Sequence, residues 1–439
     1  APAEPIARSA VRCAPGAGPG RPHRFPTWRE ELRHVMAHTP SRLLARLEDH
    51  SDEVLFASFS PCGRRLATCS RDCTTCIYSF GQDGMPALEA ALQHSSAVAH
   101  LQWCPDLEFD YIAVSTDGPS LPMAEVWHVG RRECLLRVAS PVRDVYGSIV
   151  RWPAGGLALV ASGALDLEGE YVQELIAYAI PPFDLSTART EPARGDRRVG
   201  GMSGQMPLAR LLLRGALNYF HCLEPAANAA GPAGRFAALS GTGPRQCDVV
   251  ALLDLPSAED VRGGGSLRGA AFELAPRARE LRGHGVLSVR WAQGGRLLLV
   301  NARPRVEGCC ELPRAGETMA RAIRRPAPPL RTGFELLILD ASTLETLSVH
   351  DGHHAFTTAD APFIVHADAW ADSDLVASGG EDACVHVWHR SHGHRLARLE
   401  AHTRAVNAVA WSQALRLMVS ASDDHTVVVW SCASARSSS

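Results

Sequence analysis

The sequence contains no lysine. All 44 of the residues counted as lysine plus arginine are arginine, in a chain of 439 residues with a formal net charge of −3. We attribute this to a codon bias that also favours alanine and glycine. Whatever its origin, no modification that needs a lysine amine can occur on these residues. The slightly negative net charge argues against a general nucleic-acid binder.

Long apolar runs are also absent. None approaches the roughly 18–20 residues that a membrane-spanning helix needs, and residues 1–25 lack the apolar centre of a signal peptide. The 13 cysteines are odd in number and form no paired framework, which predicts reduced thiols. We therefore expect no membrane partner and a location in the cytoplasm, with the nucleus as the alternative.

One heptapeptide occurs twice, as LARLEDH at 44–50 and as LARLEAH at 396–402. Behind each histidine, a Ser or Thr, an Asp and an aromatic residue follow at the same spacings without a gap. The first copy contains His50, Thr68, Asp72 and Tyr78, and the second contains His402, Ser420, Asp424 and Trp430. A further copy contains Ser378, Asp382 and Trp388, and we assign His353 as its histidine.

Each copy reads as four short strands in a unit of roughly 40–50 residues, which is the signature of a propeller blade. Weaker copies over 91–128, 140–180 and 205–255, and another from Gly283, bring the count to seven. We predict an all-β, seven-bladed β-propeller over 41–432 with an inserted loop at about 303–333. We expect a disordered leader over 1–25, a short helix over 26–40 and a disordered tail over 433–439.

The heptapeptide also predicts how the ring closes. The last copy ends at Trp430, and the residues behind it cannot form a fourth strand. In the other copies LARLE is that fourth strand. We therefore expect Leu44–Glu48 to pair with the strand around Val427–Trp430, which would leave no free sheet edge.

The repeated His, Ser/Thr and Asp residues invite comparison with a hydrolase, but a set that recurs in every unit is typical of a structural network. The patterns G-x-S-x-G and G-x-G-x-x-G are absent, so we predict neither catalysis nor a cofactor. Cys69, Cys73 and Cys76 with His50 resemble a zinc set. No second C-x-x-C pairs with them, however, and we predict no metal. Cys309-Cys310 are interpreted as free thiols.

The repeated sets resemble the WD-repeat family, although Tyr78 replaces the usual Trp, and Trp388-His389 and Trp430-Ser431 lack the family's dipeptide. TWREELRH (27–34), DHSDEVLFASFS (49–60) and HHAFTTADAPF (353–363) resemble the F-box/WD-repeat family. The resemblance implies a non-catalytic substrate-recognition subunit of an SKP–cullin–F-box ubiquitin ligase, which binds target proteins for ubiquitination and proteasomal degradation. The alternative is a WD-repeat scaffold without a ligase link.

An F-box would dock the SKP-type adaptor and, through it, the cullin. Residues 1–26 are too few to form one, so we expect these two partners only if an F-box exists upstream. Docking to a cullin-4-type adaptor is not supported, because Trp388-His389-Arg390 does not match its signature. Ubiquitin is normally joined to a lysine amine, so a lysine-free receptor would resist modification by its own complex except at its N-terminus.

The partner-binding surface is expected at the turns that precede each blade's Asp and at the loops between blades. Arginine and tyrosine are favoured as interface anchors, so four residues rank highest: Arg71, Arg143, Tyr146 and Arg404. The acidic candidates in the same turns are Asp52, Glu53, Asp144 and Asp423. The alternative interpretation of each is a solvated turn charge.

Overall fold

The structure is a computed structural model. It describes residues 35–107, 109–117, 123–139, 147–152, 155–165, 171–179, 209–213, 222–225, 236–242, 248–254, 270–274, 277–281, 283–304, 333–353, 364–370 and 373–432. These residues are almost entirely strands and turns. Helical geometry is confined, within them, to residues 35–38 and to a 3-10 turn at Gln293–Gly295. No helix in the described part is long and apolar enough to cross a membrane.

The strands are numbered in chain order. The first, β1 (Pro40–Leu47), does not belong to the sheet of the strand that follows it in sequence. Sheets 1 and 2 are each built from four consecutive antiparallel strands. Sheet 1 contains β2 (Val54–Phe59), β3 (Arg65–Ser70), β4 (Thr74–Phe80) and β5 (Pro86–Gln93). Sheet 2 contains β6 (Ala97–Trp103), β7 (Tyr111–Asp117), β8 (Met123–His128) and β9 (Glu133–Ala139).

The strands of sheets 3 and 4 alternate in sequence order near their ends, because β17 belongs to sheet 3 while β16 and β18 belong to sheet 4. Sheet 3 has the order β10-β11-β12-β13-β17, with β10 (Gly147–Trp152), β11 (Gly155–Leu165), β12 (Tyr171–Ala179), β13 (Ala209–Leu213) and β17 (Ala270–Leu274). Sheet 4 contains β14 (Cys222–Pro225), β15 (Phe236–Thr242), β16 (Asp248–Asp254) and β18 (Arg277–Glu280). The sequence placed β13 in the fourth unit, and this is wrong, because β13 pairs antiparallel with β12 of sheet 3.

The last three sheets carry four strands each. Sheet 5 contains β19 (His284–Ala292), β20 (Leu297–Pro304), β21 (Phe334–Asp340) and β22 (Thr346–His353). Sheet 6 contains β23 (Ala367–Trp370), β24 (Leu375–Ser378), β25 (Cys384–His389) and β26 (Arg395–Glu400). Sheet 7 contains β27 (Val406–Ser412), β28 (Leu417–Ser422), β29 (Val427–Cys432) and β1.

The first strands of neighbouring sheets contact one another. β2 contacts β6, and the series continues through β10, β14, β19 and β23 to β27, which in turn contacts β2. Sheets therefore pack face to face around the centre of a β-propeller. Their strands are rich in Val, Leu, Ile and Ala because both faces of each sheet are covered. In sheet 7, for example, every residue of β27 and β28 is buried.

The predicted closure of the last sheet by the N-terminal strand is confirmed. β1 pairs antiparallel with β29, and Leu43, Arg46 and Leu47 lie opposite Trp430, Val428 and Val427. Arg46 adds a side-chain contact, because its NH1 donates to Thr426 Oγ1 at 2.9 Å. The strand from the start of the chain thus covers the edge of the strand from its end.

The turn between the second and third strands is built alike in sheets 1 and 7. In sheet 1 the Asp72 N–H donates to Ser70 Oγ at 3.1 Å, and the Thr74 N–H donates to Asp72 Oδ1 at 2.8 Å. In sheet 7 the Asp424 N–H donates to Ser422 Oγ at 3.1 Å. The residue behind each aspartate has a left-handed backbone, with φ of 67° at Cys73.

The disordered leader over 1–25, the inserted loop over 303–333 and the tail over 433–439 lie outside the described residues, apart from Arg303, Pro304 and Gly333. Of the helix expected over 26–40, residues 35–38 are helical, and Val35 packs on the core of sheets 6 and 7 beside Trp370 and Trp411. The strand β1 then begins at Pro40.

Truncating Leu47 tests the closure. Leu47 is buried in one core cluster with Val427 and Val429, so we expect Leu47→Ala to cost about 2–3 kcal/mol in the free energy of unfolding. Leu43, on the same strand, is 42% exposed, and Leu43→Ala serves as the matched control with an effect of about 0.5 kcal/mol or less. Urea unfolding measures both. Equal effects of the two substitutions would contradict the packing of β1 on sheet 7.

Candidate functional site

His402, Ser420, Asp424 and Trp430 form one hydrogen-bonded chain in sheet 7. His402 Nε2 lies 2.8 Å from Ser420 Oγ, and its Nδ1 lies 3.0 Å from Asp424 Oδ2. The Trp430 indole N–H donates to Ser420 Oγ at 2.9 Å. Burial would raise the pKa of Asp424, but the contacts with His402 outweigh it and hold the pKa below its ordinary value. The chain therefore fixes the turn at Asp424 against the strands beneath it.

In sheet 1 the equivalent chain ends differently. His50 Nε2 lies 2.8 Å from Thr68 Oγ1, and its Nδ1 lies 2.9 Å from Asp72 Oδ2. The Tyr78 hydroxyl does not join them, since it donates to Asp49 Oδ2 at 3.0 Å. Burial alone would lower the pKa of His50, but the hydrogen bond with Asp72 helps to raise it to about 9.

The third set is not brought together as the sequence predicted. His353 Nε2 lies 3.4 Å from Asn301 Oδ1, and the Trp388 indole N–H donates to the backbone oxygen of Asp351 at 3.1 Å. Asp382 has another histidine partner, because His386 Nε2 lies 3.0 Å from Asp382 Oδ2. Asp382 therefore pairs with His386 and not with His353. Asn301 links His353 to Ser378, since Asn301 Nδ2 donates to Ser378 Oγ at 2.9 Å.

The histidine that pairs with Asp382 lies on the third strand of its sheet, two positions before the aromatic residue that ends the repeated set. In sheet 6 this position is His386, two residues before Trp388, and in sheet 2 it is Glu125, two residues before Trp127. A strand interior usually carries apolar residues at such a buried position, as Val428 does in sheet 7. Aligning the copies on their aromatic residues, rather than on the heptapeptide, would have revealed both titratable residues.

Glu125 is the centre of a network that the sequence interpretation missed. Its Oε2 lies 2.8 Å from His94 Nδ1 and accepts the Trp127 indole N–H at 2.8 Å, while Oε1 lies 2.8 Å from Arg137 Nε. His94 Nε2 in turn lies 3.0 Å from Thr75 Oγ1 of sheet 1. Burial would raise the pKa of Glu125, but these partners, led by His94, hold it below its ordinary value. The carboxylate is thus buried and paired, and the pairing offsets the large free-energy cost of removing a charge from water.

Four of the surface candidates meet at the junction of sheets 7 and 1. Arg71 Nε lies 3.1 Å from Glu53 Oε2, and Arg404 NH1 lies 4.0 Å from Glu53 Oε1. Arg404 NH1 also donates to the backbone oxygen of Asp423 at 3.1 Å. Both arginine side chains are 58% exposed. Glu53 therefore steadies two exposed guanidinium groups from different sheets on one surface, the turn face.

The acidic candidates are engaged with the turns themselves. Asp52 Oδ1 accepts the Glu53 N–H at 2.7 Å. Asp423 Oδ1 accepts Asn407 Nδ2 at 2.7 Å, and burial together with the charge of Glu53 raises the pKa of Asp423 above its ordinary value. Arg143, Asp144 and Tyr146 lie outside the described residues, so their place in the surface stays a prediction.

Side chains from four first strands or their approaches also meet in the centre of the molecule. The ring centroid of Phe56 lies 4.4 Å from that of His100 and 4.6 Å from that of His366. Arg290 stands 6.0 Å from the Phe56 ring and holds Asp368 Oδ1 at 3.4 Å from its Nε. Burial, and secondarily the charge of Arg290, lowers the pKa of His100 to about 4. Nothing in the repeat pattern distinguishes these positions.

The three cysteines of the zinc set considered from the sequence lie on β3, on β4 and in the turn between them. Cys69 and Cys76 are buried in sheet 1, and burial raises the pKa of the Cys69 thiol. Across the described ranges, no three His, Cys, Asp or Glu side chains stand in an arrangement that could hold a metal ion. Cys309-Cys310 lie outside those ranges.

Comparison with known proteins supports the repeat assignment. The model of the family described as WD domain, G-beta repeat, matches residues 41–79 and 393–431. These two segments of the chain are WD repeats. Each matched segment begins with the outer strand of one sheet, β1 or β26, and continues with the first three strands of the next. The sequence repeat and the structural sheet are therefore offset by one strand.

The similarity to some relatives extends along most of the chain. F-box/WD repeat-containing protein 5 from Homo sapiens is 24% identical over 92% of this chain and 83% of its own length. Two others match a short segment. WD repeat-containing protein 26 homolog from Arabidopsis thaliana is 48% identical over 13% of this chain and 10% of its own length. GID complex subunit 7 from Schizosaccharomyces pombe (strain 972 / ATCC 24843) is 43% identical over 14% and 12%.

These similarities bear on the kind of activity. WD-repeat propellers and F-box/WD substrate receptors are typically non-catalytic binding modules. The WD-repeat chain is accordingly a non-catalytic binding module, and its turn face, rather than a reaction centre, is its candidate functional site.

Double-mutant cycles test the reassigned network. We expect His386→Leu with Asp382→Asn, and likewise His402→Leu with Asp424→Asn, to couple by about 2 kcal/mol, because each pair shares a charge-assisted hydrogen bond. His353→Leu with Asp382→Asn is the matched control, with coupling of about 0.5 kcal/mol or less. Unfolding free energies give each coupling. A larger value for the His353 cycle than for the His386 cycle would restore the original assignment.

The central histidine makes stability depend on pH. The folded-state pKa of His100 is about 4, below the ordinary value of about 6.5, so the unfolded chain takes up a proton first as the pH falls. Stability is therefore complete above pH 6.5 and is lost towards pH 4. We expect His100→Gln to remove about 2 kcal/mol of the loss between pH 7.5 and pH 5.

Chemical denaturation at the two pH values measures this loss. His394→Gln is the control, because His394 is exposed on the turn before β26. If the acid-dependent loss were the same in the His100 variant as in the wild type, burial of a neutral His100 would not be its cause.

Proposed function

We propose that the chain is the substrate-recognition subunit of an SCF-type (SKP–cullin–F-box) E3 ubiquitin ligase. It would bind target proteins through the turn face, for their ubiquitination and proteasomal degradation. The observation that carries the proposal is the similarity to F-box/WD repeat-containing protein 5, which extends over 92% of this chain and is not confined to the two matched repeats. We place the protein in the cytoplasm, with the nucleus as the alternative compartment.

The turn face supports a role in binding. Arg71 and Arg404 are exposed and lie on either side of Glu53, so both guanidinium groups are accessible to a partner that docks on this face. Arginine is enriched among the residues that dominate binding energy at interfaces. The proposal assigns target binding to this face, and adaptor and cullin binding to an F-box in the full-length protein.

The proposal includes the complete ring. The seven sheets would be the seven blades of one closed propeller, since their first strands contact one another in succession and β27 returns to β2. Closure by β1 would cover the edge of β29 and give sheet 7 its fourth strand. An experimentally determined density map of the full-length protein would count the blades directly.

The alternative function is a WD-repeat scaffold without a ligase link. The observation in its favour is that the family model matches the repeats alone, at residues 41–79 and 393–431. The short match to GID complex subunit 7 likewise covers only 14% of this chain. A scaffold would use the same turn face but would bind neither an SKP-type adaptor nor a cullin.

Affinity capture of the full-length protein separates the two functions. We expect the SKP-type adaptor and the cullin to be retained, together with target proteins that accumulate when the proteasome is inhibited. The paired substitution Arg71→Ala and Arg404→Ala should weaken target capture about tenfold or more, because it removes two interface anchors, while the adaptor stays bound.

The control is Arg64→Ala. Arg64 and Arg71 flank the same strand, β3, so Arg64 lies at the opposite end of the sheet from the turn face. We expect this variant to keep both target and adaptor. A full-length protein that never retains the adaptor would leave the scaffold function in its place.

A further inference from the structure

The fold requires arginine at some positions and not at others. Arg65 needs the planar guanidinium: Nε and NH2 donate to the two carboxylate oxygens of Glu89 at 3.0 and 2.7 Å. Its NH1 contacts Asp110, and its Cζ stands 5.4 Å from the Trp103 ring. A lysine ammonium cannot make this bidentate, stacked arrangement. At Arg65 the absence of lysine therefore has a structural reason.

At three exposed positions no such reason exists. Arg395 is exposed and makes a single hydrogen bond, from NH1 to the backbone oxygen of Gly352 at 3.1 Å. Arg42 and Arg64 are exposed, with no side-chain hydrogen bond or ion pair inside the described part of the chain. A lysine could occupy all three positions without loss of a contact. Folding therefore does not explain why the surface has no amine.

The amine-free surface surrounds the molecule. Exposed arginines occur on or beside strands of sheets 1, 2, 4, 5, 6 and 7, among them Arg64, Arg131, Arg277, Arg296, Arg398 and Arg416. Each is a position of the kind where lysine is ordinarily found, since long basic side chains keep their charge in water. No orientation of the propeller would present a lysine to an enzyme bound beside it.

We propose that these 439 residues form a receptor that takes part in ubiquitin transfer without accepting ubiquitin on any of their side-chain amines. The inference rests on the proposed ligase function. Transfer would then be directed to the bound target, and the receptor would outlast the targets that it delivers. The consequence is chemical, and it holds whether codon bias or selection removed the lysines.

The transfer step shows why lysine decides the outcome. A conjugating enzyme carries ubiquitin as a thioester on its cysteine. The acceptor amine attacks the thioester carbonyl, the carbon–sulfur bond breaks, an amide bond forms, and the thiol leaves with the proton that the amine gives up. A guanidinium stays protonated at any physiological pH and has no free electron pair with which to attack.

The experiment restores amines while conserving charge. The full-length protein is assembled with adaptor, cullin, ring-finger subunit, charged conjugating enzyme, ubiquitin and ATP. Wild type is compared with the triple variant Arg42→Lys, Arg64→Lys and Arg395→Lys. A second triple variant with glutamine at the same positions controls for the loss of arginine. Conjugates are treated with hydroxylamine, which cleaves esters and thioesters but not amides, and are mapped by mass spectrometry.

We expect no hydroxylamine-resistant ubiquitin on side chains of these residues in the wild type or the glutamine variant. The lysine variant should gain it at the new lysines. In cells, the half-life of the lysine variant should fall about twofold or more relative to wild type and recover under proteasome inhibition, because tagged molecules are removed from the folded pool. Ubiquitin on the α-amino group is scored separately.

Two results would overturn the inference and are distinguishable. If the adaptor is retained but the lysine variant gains no conjugates, or if proteasome inhibition raises the wild-type level as much as that of the lysine variant, the inference fails while the ligase function stands. If no variant retains the adaptor, the proposed function fails and the inference fails with it. Equal unfolding midpoints of the variants establish that a change in half-life is not a change in folding.

Discussion

The pairing of β1 with β29 is the constraint on which the rest of the propeller depends. Sheet 7 is assembled from both ends of the described chain, so the pairing of its outer strand joins the two ends of that stretch. Arg46 carries the closure further, because its guanidinium reaches Thr426 and lies 3.9 Å from Asp424. The strand that closes the sheet thereby contacts the turn that the His402 chain holds. Edge protection and turn geometry are stabilised together.

The hydrogen-bonded chains show what the fold demands of each sheet and what it leaves open. A buried imidazole is stabilised by polar partners, because an unpaired buried polar group costs about 1–3 kcal/mol. The fold does not prescribe which strand provides them. Sheet 7 uses Ser420 and Trp430, sheet 2 uses Glu125, and sheet 6 uses His386 for Asp382. Each sheet supplies hydrogen-bond partners for its buried polar side chains, but the strand that carries the partner differs from sheet to sheet.

The turns of sheets 1 and 7 connect these hydrogen-bonded chains to the candidate binding surface. Because the chains beneath hold the turns of sheets 1 and 7 in place, the side chains above them are presented on a rigid base. Glu53 then links Arg71 and Arg404 across the boundary between the two sheets. The surface carries its positive charge entirely as guanidinium groups, which suit hydrogen-bonded docking but cannot serve as nucleophiles. A binding surface of this composition can contact many partners and still accept no amide-linked tag.

The sequence by itself determined the repeated unit, the closure by LARLE and the hydrogen-bonded chains around His50 and His402. These follow from fixed spacings along the chain, and strand and turn geometry depend on neighbours close in sequence. It could not determine that β13 belongs to sheet 3, that His386 replaces His353, or that Tyr78 reaches Asp49. Nor could it show that Phe56, His100, His366 and Arg290 meet at the centre. Those contacts join residues that are distant in sequence or that differ between units, and only the packing of one sheet against the next decides which of several suitable partners is within reach.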